Sequence, residues 1–569
     1  MTRLARSRAW RCFLILLTIV GPSGCIVGPD YAPPNLCAPD EWHQELVDGH
    51  HANVDEIREW WWLFDDPVLG ELIERAKSKN LNLYAAFTRI CQARAQVCVA
   101  ESGLYPVIGG LGGWEESQQS LNGLGIGGIP GFILGPFGVW SLGWDISWEA
   151  NIFGRVTRQI EAADATLGIS VEAYRDVMVI LLGDVAANYV TLRTLQQRLR
   201  FVRQNVQTQS EALELATKRV EGGIAPILDE YQARSNLAST QATIPPLELA
   251  IHQTLNRLSV LIGEFPGHLH CTLAEPAPIP AEPSSLPLTL PCDVIRQRPD
   301  IREAERRIAA ATADLGVAVS DLFPTFNFNG SFSLRSQDLS KLLTADSFAF
   351  AYGPNFRFPI FQGKRLLCNI EGSKAVVEEA LANYEQVVLL AVEEVENSIV
   401  GYQKEIQRYE LLEETVDAAQ DSLDSVLELY RSGKTDFNNV LGTLRTLFLA
   451  QDELAVSEGD KILQLVSLYR SLGGGWDPDH HCGHRCVRLA CPERCDPNNV
   501  ERLTASEGDL SNQYGDPNSG DATDANQPGL NNEGLERLPA LEEEALEPDD
   551  SFFNRAQEAE FELTEPPPP

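Results

Sequence analysis

The chain has 569 residues, 44% of them apolar, which suits a folded protein with a large core or several domains. Its formal net charge of −36 repels phosphate backbones and argues against a nucleic-acid partner. Over 501–569, 18 acids face 3 basic residues in a stretch rich in Asn, Gly, Pro and Ser, which predicts a solvated, disordered tail.

Residues 1–24 read as an export signal. Arg3, Arg6, Arg8 and Arg11 precede an apolar run at 12–20 that is too short for a bilayer and right for a signal peptide. Ser23-Gly24-Cys25 then places small residues before a cysteine, the pattern of a bacterial lipobox with Cys25 as the acylated residue. Pro22 departs from that pattern, where an aliphatic residue is usual. The alternative is an ordinary secretory peptide cut near the same place. Either reading exports the chain and puts its 12 cysteines where disulfides form. No later segment has the run of about 20 apolar residues needed for a membrane helix. The mature chain is therefore expected to be soluble, lipid-anchored or a β-barrel.

Residues 25–66 read as an extended, lipid-anchored lead-in to a first repeat at 67–263. Cys91 and Cys98, seven apart on one helix face, read as buried thiols. Strands are expected at about 104–114 and 138–149. The first is Gly-rich; in the second, Trp140, Leu142, Trp144, Ile146 and Trp148 alternate with Ser141, Gly143, Asp145, Ser147 and Glu149. A proline-free helix follows over 155–220, about 100 Å long at 1.5 Å per residue. In it Val185, Leu192, Leu199, Val206, Leu213 and Val220 fall seven apart, with a second seam at Leu181, Leu195, Val202 and Ala216. Sustained heptads mean supercoiled helices packed side by side. A Pro-rich linker, 264–290, is flanked by Cys271 and Cys292, candidates to pair.

The second repeat, 291–476, has the same parts in the same order. Strands are expected at about 324–335, where Phe326, Phe328, Phe332 and Leu334 alternate with polar residues, and at about 347–360, where Phe348, Phe350, Tyr352, Phe356 and Phe358 do so. The helix over 364–430 carries Val395, Tyr402, Tyr409, Val416, Leu423 and Tyr430 seven apart. Tyr105-Pro106 matches Phe323-Pro324, and Gly223, Leu237 and Leu258 match Gly433, Leu447 and Leu468 at one offset of 210 residues. Each half is thus helix, two strands, very long helix, tip, helix, which points to duplication. An offset of whole heptads keeps both long helices in one phase, as equivalent places in a ring require.

Period-two alternation with aromatics on one face suits transmembrane barrel strands, although a half-buried soluble sheet shows the same pattern. Four strands cannot close a barrel, since membrane barrels start at about 8. Open edges in lipid would leave unpaired backbone groups, so other copies must complete the sheet. Three copies give about 12 strands and a ring of long helices. The expected fold is therefore mainly α with a small transmembrane β part: a trimeric 12-stranded β-barrel continued by a periplasmic α-helical barrel.

Several segments resemble one family. The start Cys25-Ile26-Val27-Gly28-Pro29-Asp30-Tyr31, the run Trp61-Trp62-Leu63-Phe64-Asp65-Asp66-Pro67, and Arg298-Pro299-Asp300-Ile301-Arg302 are similar to the lipoprotein branch of outer-membrane efflux proteins, the OprM and NodT type, relatives of TolC. So are Tyr430-Arg431-Ser432-Gly433 and Ser471-Leu472-Gly473-Gly474-Gly475-Trp476. The resemblance spans roughly 25–476 and leaves out the tail. It implies a homotrimer in outer-membrane lipid that receives cargo from an inner-membrane pump through a periplasmic adaptor. It implies no catalysis and no cofactor.

The tip turns lie at the ends of the long helices. Glycine suits a tight reversal there, and Pro226 suits a helix first turn. The resemblance makes Gly222, Gly223, Ile224, Ser432, Gly433 and Thr435 the adaptor-docking residues. It makes Asp229 and Tyr430 holders of the closed state. Two family acids fall on Asn439 and Gly442, a departure that puts cation selectivity in doubt. The closed tip is then expected to rely on Asp229 and Tyr430 with Arg431 or Lys434.

The tail segment His480-His481-Cys482-Gly483-His484-Arg485-Cys486, with Cys491 and Cys495, offers disulfides, a metal site or neither; its spacing fits no common zinc pattern, and no metal is assigned. There is no Gly-rich phosphate loop and no Gly-x-Ser-x-Gly elbow. Paired acids such as Glu378-Glu379 and Glu393-Glu394 read as solvated helix faces. The leading expectation is a small-molecule efflux duct. A protein-secretion duct of the same architecture and a non-conducting lipid-anchored scaffold are the alternatives.

Overall fold

The computed structural model describes residues 26–34, 42–43, 49–51, 57–118, 136–283, 286–288 and 291–476. The export signal, Cys25, and the Cys/His cluster and acidic tail at 477–569 lie outside the described residues, and the readings made of them stay as expectations.

The lead-in is not extended throughout. Gly49–His51 (β1) pairs in parallel with Leu286–Leu288 (β4) of the linker, and Trp60–Phe64 is a turn of 3-10 helix. Trp60 and Trp61 are fully buried, and Trp60 stacks on Tyr469 with ring centroids 5.5 Å apart. Asp65 takes a left-handed conformation. Asp66 then caps the next helix, Pro67–Lys79 (α1), by accepting from the amides of Val68 and Leu69, and Pro67 occupies the first turn, where no amide is needed. The Tyr189 hydroxyl donates to the other oxygen of Asp66 at 2.8 Å, fixing this motif to the first long helix.

After Leu81–Ser102 (α2) come the antiparallel strands Val107–Ser117 (β2) and Phe137–Ala150 (β3). The long helix Arg155–Glu221 (α3) follows, then Ile227–Gln241 (α4) and Ile244–Leu261 (α5). The linker carries the short helix His270–Leu273 (α6). The second half runs through Pro291–Gln297 (α7), Pro299–Ser320 (α8), Thr325–Ser336 (β5), Phe348–Arg357 (β6), Arg365–Arg431 (α9) and Phe437–Ser471 (α10). Both long helices have 67 residues. The returning helix is continuous in the second half but broken in the first, where Pro245 and Pro246 start α5. Proline lacks the amide that an uninterrupted helix would use there.

Strands β2, β3, β5 and β6 form one antiparallel sheet in that order. Its register aligns Leu142, Leu334 and Phe348 in one row and Trp144, Phe332 and Phe350 in the next. The opposite face aligns Asp145, Ser331 and Ala351, then Ser147, Asn329 and Gly353, then Glu149, Asn327 and Asn355. One face is aromatic and the other small and polar, as the alternation predicts. The outer edges of β2 and β6 are unpaired among the described residues. Among these residues no helix is long and apolar enough to cross a membrane.

The main core lies midway down the long helices, around Val185, Leu192, Val395, Tyr402 and the Trp60–Trp61 plug. Arg298 ties this region together. Its guanidinium contacts Asp300, reaches Glu394 of α9 at 2.9 Å and donates to the Ser471 carbonyl of α10 at 2.8 Å. Glu394 is thus partnered, while Glu378, Glu379 and Glu393 are exposed as expected. Two thiol expectations change. Cys91 and Cys98 are half-buried, because their face of α2 is not fully covered, and Cys271 and Cys292 are not bonded to each other.

The lead-in also binds the junction of sheet and helix. The Val27 amide donates to the Phe153 carbonyl, and Arg158 of α3 donates to the carbonyls of Val27 and Gly28 and pairs with Asp30 at 2.7 Å. Gly28 has φ +92° and a Cβ there would come within 2.7 Å of the Gly316 Cα, so only glycine fits.

Candidate functional site

The far end of the long helices forms two turns built alike. In each, a glycine with positive φ, Gly223 at +69° or Gly433 at +74°, reverses the chain. In each, the helix end closes on its own carbonyls: Ile224 donates to the Arg219 carbonyl, and Lys434 to that of Leu429, both at 2.9 Å. This is the glycine-terminated helix end that the paired Gly signals predict. Gly222 and Ser432 sit one residue earlier in right-handed conformation. Pro226 is the residue capping α4, one place before its first turn.

The two turns are joined through Tyr430. Its hydroxyl donates to Asp229 Oδ2 at 3.1 Å, linking the end of α9 to the first turn of α4. The ring packs on Phe437 at 5.2 Å and is 2% exposed. Burial pushes the Tyr430 hydroxyl up to about 12, with the neighbouring Asp229 charge adding to it, so the hydroxyl stays protonated and donates at all physiological pH. The two residues singled out from sequence are therefore in contact.

The expected cation is a different residue. Arg431, the last residue of α9, and Lys434 in the turn beyond it are exposed, and their side chains make no ion pair or hydrogen bond among the described residues. Arg219, in the last turn of α3, is the cation that reaches Tyr430. Its Nη1 donates to the Tyr430 carbonyl at 2.7 Å and to the Arg431 carbonyl at 3.1 Å, and its guanidinium lies 4.6 Å from the ring centroid. A basic residue before a Gly-Gly turn signals capping of its own helix; nothing in the sequence points it at the end of the other one.

The remaining positions surround this contact. Asn439 Nδ2 donates to Thr435 Oγ1 at 2.8 Å, and a Cβ at Gly442 would meet nothing within 4 Å. Neither carries charge into the groove they share with Glu414, Ser422 and Thr443. Higher up, Arg445 of α10 donates to Asn236 of α4, a further tie between the halves. Ile224, Ile227, Leu228 and Tyr231 of the first tip are each more than half exposed and follow helical spacing. The equivalent second-tip positions are Lys434, Phe437, Asn438 and Leu441, of which Phe437 and Leu441 are buried. The two tips thus present different surfaces.

The sequence matches the family described as outer membrane efflux protein over residues 72–264 and 290–474. The chain belongs to this family. It is similar to the pyoverdine export outer membrane protein OpmQ of Pseudomonas aeruginosa, with 32% identity over 456 residues, covering 78% of this chain and 92% of that one. Nodulation protein T of Rhizobium leguminosarum bv. trifolii is 29% identical over 467 residues, covering 80% and 96%. Among solved structures, the outer-membrane channel OprN superposes with a TM-score of 0.72 at 33% identity, covering 80% of this chain and all of that one. This efflux protein is an outer-membrane channel. Residues 1–71, the linker at 265–289 and the tail after 474 lie outside the family match.

Proposed function

We propose that three copies of this chain form an exit duct for small molecules, fed by an inner-membrane pump through a periplasmic adaptor and closed at its helical tip by the Asp229–Tyr430 contact. The observation that carries the reading is the four-stranded sheet, aromatic on one face with both edges unpaired, mounted on two 67-residue helices. Sheet edges in lipid must be paired, and twelve strands from three chains pair them all. Relatives are named for export of pyoverdine and for efflux of toluene, antibiotics and cations, which supports small cargo. The exposed stripe Ile224, Ile227, Leu228 and Tyr231 beside Gly222 and Gly223 supports adaptor docking at the first tip, with Ser432, Gly433 and Thr435 contributing from the second. Cys25 as the acylated residue belongs to the same reading, and Ile26 after it lies against Gly154 between the sheet and α3.

Two measurements test this. Cells lacking the protein are expected to accumulate dyes, drugs or metal ions with an unchanged set of secreted proteins; missing secreted proteins would move the assignment to a secretion duct. In reconstituted channels, Asp229→Ala is expected to raise conductance several-fold, and an unchanged conductance removes Asp229 from the gate.

A further inference from the structure

We infer that Arg219 is the latch that ties the two hairpin tips of one chain together, acting on the backbone of Tyr430 where Asp229 acts on its hydroxyl. The inference rests on reading the tip as the gate.

The chain carries 81 acids, so an arginine readily finds a carboxylate. Arg219 makes no ion pair among the described residues. Its charge goes instead to two carbonyls in the last turn of α9, those of Tyr430 and Arg431. Carbonyls at a helix end lack internal partners and sit at the negative end of the helix dipole, so a guanidinium is a fitting cap. Capping normally comes from the same helix or its turn; here it comes from α3, whose own end is closed by its own turn. Nε of Arg219 is buried without a partner, so the side chain gives up one hydrogen bond to reach this position.

Duplication makes the asymmetry plain. At the offset of 210 residues, Arg219 corresponds to Leu429, which has no donor to offer the end of α3. The two turns share their internal hydrogen bonds, yet only one of them is gripped by the other. The end of α9 is therefore held at two points from two helices, its Tyr430 carbonyl by α3 and its Tyr430 hydroxyl by α4. Moving the second hairpin away from the first must break both. Arg219 is thus a positioning residue of the gate, and its bonds to the Tyr430 and Arg431 carbonyls do not require the tyrosine hydroxyl.

The test is single-channel conductance of purified, reconstituted trimers, with heat-resistant migration on a gel as the check of assembly. Arg219→Gln is expected to raise conductance several-fold while trimers keep their heat resistance. Tyr430→Phe removes the hydroxyl and keeps the carbonyl, so adding Arg219→Gln to it is expected to raise conductance again. If Asp229→Ala opens the channel and Arg219→Gln conducts like the native protein, the latch is wrong and the gate stands. If neither variant differs from native, the gate reading itself fails and the latch with it. Should Arg219→Gln not assemble, Arg219→Lys replaces it: lysine cannot hold both carbonyls with a planar fork, so conductance must rise, and a native value overturns the latch.

Discussion

Asp176 of α3 sits among carboxylates from two other helices, Asp300 and Glu303 of α8 and Glu394 of α9, with Arg298 as the facing cation. Its carboxyl is pushed up to about 6 from an ordinary 3.8, first by burial and then by the charges of Asp300 and Glu303. The folded value lies above the unfolded one, so folding penalises the charged form. Stability from this group is therefore lost above about pH 6 and regained as pH falls toward 4. Asp176→Asn is expected to stabilise the assembled protein at pH 7.5 by on the order of 2 kcal/mol. The gain should vanish near pH 4, read as the temperature at which trimers dissociate at each pH. An equal gain at both pH values would show that charge is not the cause. Arg298 beside it explains the Arg-Pro-Asp motif physically: Pro299 starts α8, Asp300 orients the guanidinium, and the guanidinium joins α9 to the end of α10.

At the scale of elements, the sheet separates its two faces row by row. Phe350 shares a row with Trp144 and Phe332, while Ser331 aligns with Asp145 and Ala351 on the other face. Phe350→Arg puts a charge toward lipid and is expected to cost about 2–4 kcal/mol near the bilayer centre, lowering the yield of trimers in the outer-membrane fraction. Ser331→Arg faces the lumen and should assemble normally but change ion selectivity. Reversed outcomes would exchange the two faces. Pitting α4 and α5 against α10 shows how the halves diverged. Pro245 and Pro246 break the first returning helix, and the second runs unbroken for 35 residues.

At the scale of the molecule, one chain leaves surface uncovered that no monomer in water would keep. Leu390 and Leu411 of α9 are 46% and 65% exposed and lie 21 residues, three heptads, apart. Asn397 and Lys404 hold the heptad positions between them, so the two leucines are separate exposed apolar sites that a neighbouring helix would cover. The open edges of β2 and β6 likewise call for neighbouring strands. Leu390→Lys with Leu411→Lys is expected to give single chains in detergent in place of heat-resistant trimers. Intact trimers from that variant would show that these two leucines face no neighbouring chain.

Much of this was legible in the sequence because it rests on periodicity. Seven-residue spacing with no proline set both long helices within a residue of their ends, and aromatic alternation for three strands, with a Gly-rich run for the first, set the strands to within about three residues. The repeat at one offset announced the duplication, and paired glycines announced the tips. Tyr430 and Asp229 were legible through the family pattern, and they do meet. What the tertiary structure alone decided are contacts between segments far apart in the chain. Arg219 reaches Tyr430 across 211 residues, the lead-in strand β1 pairs with the linker, and Arg298 joins three helices. Local pattern reports which face of an element is apolar, since burial follows the period of the element. It carries no record of which distant backbone carbonyl an arginine finds, because that is set by how two long helices are placed side by side.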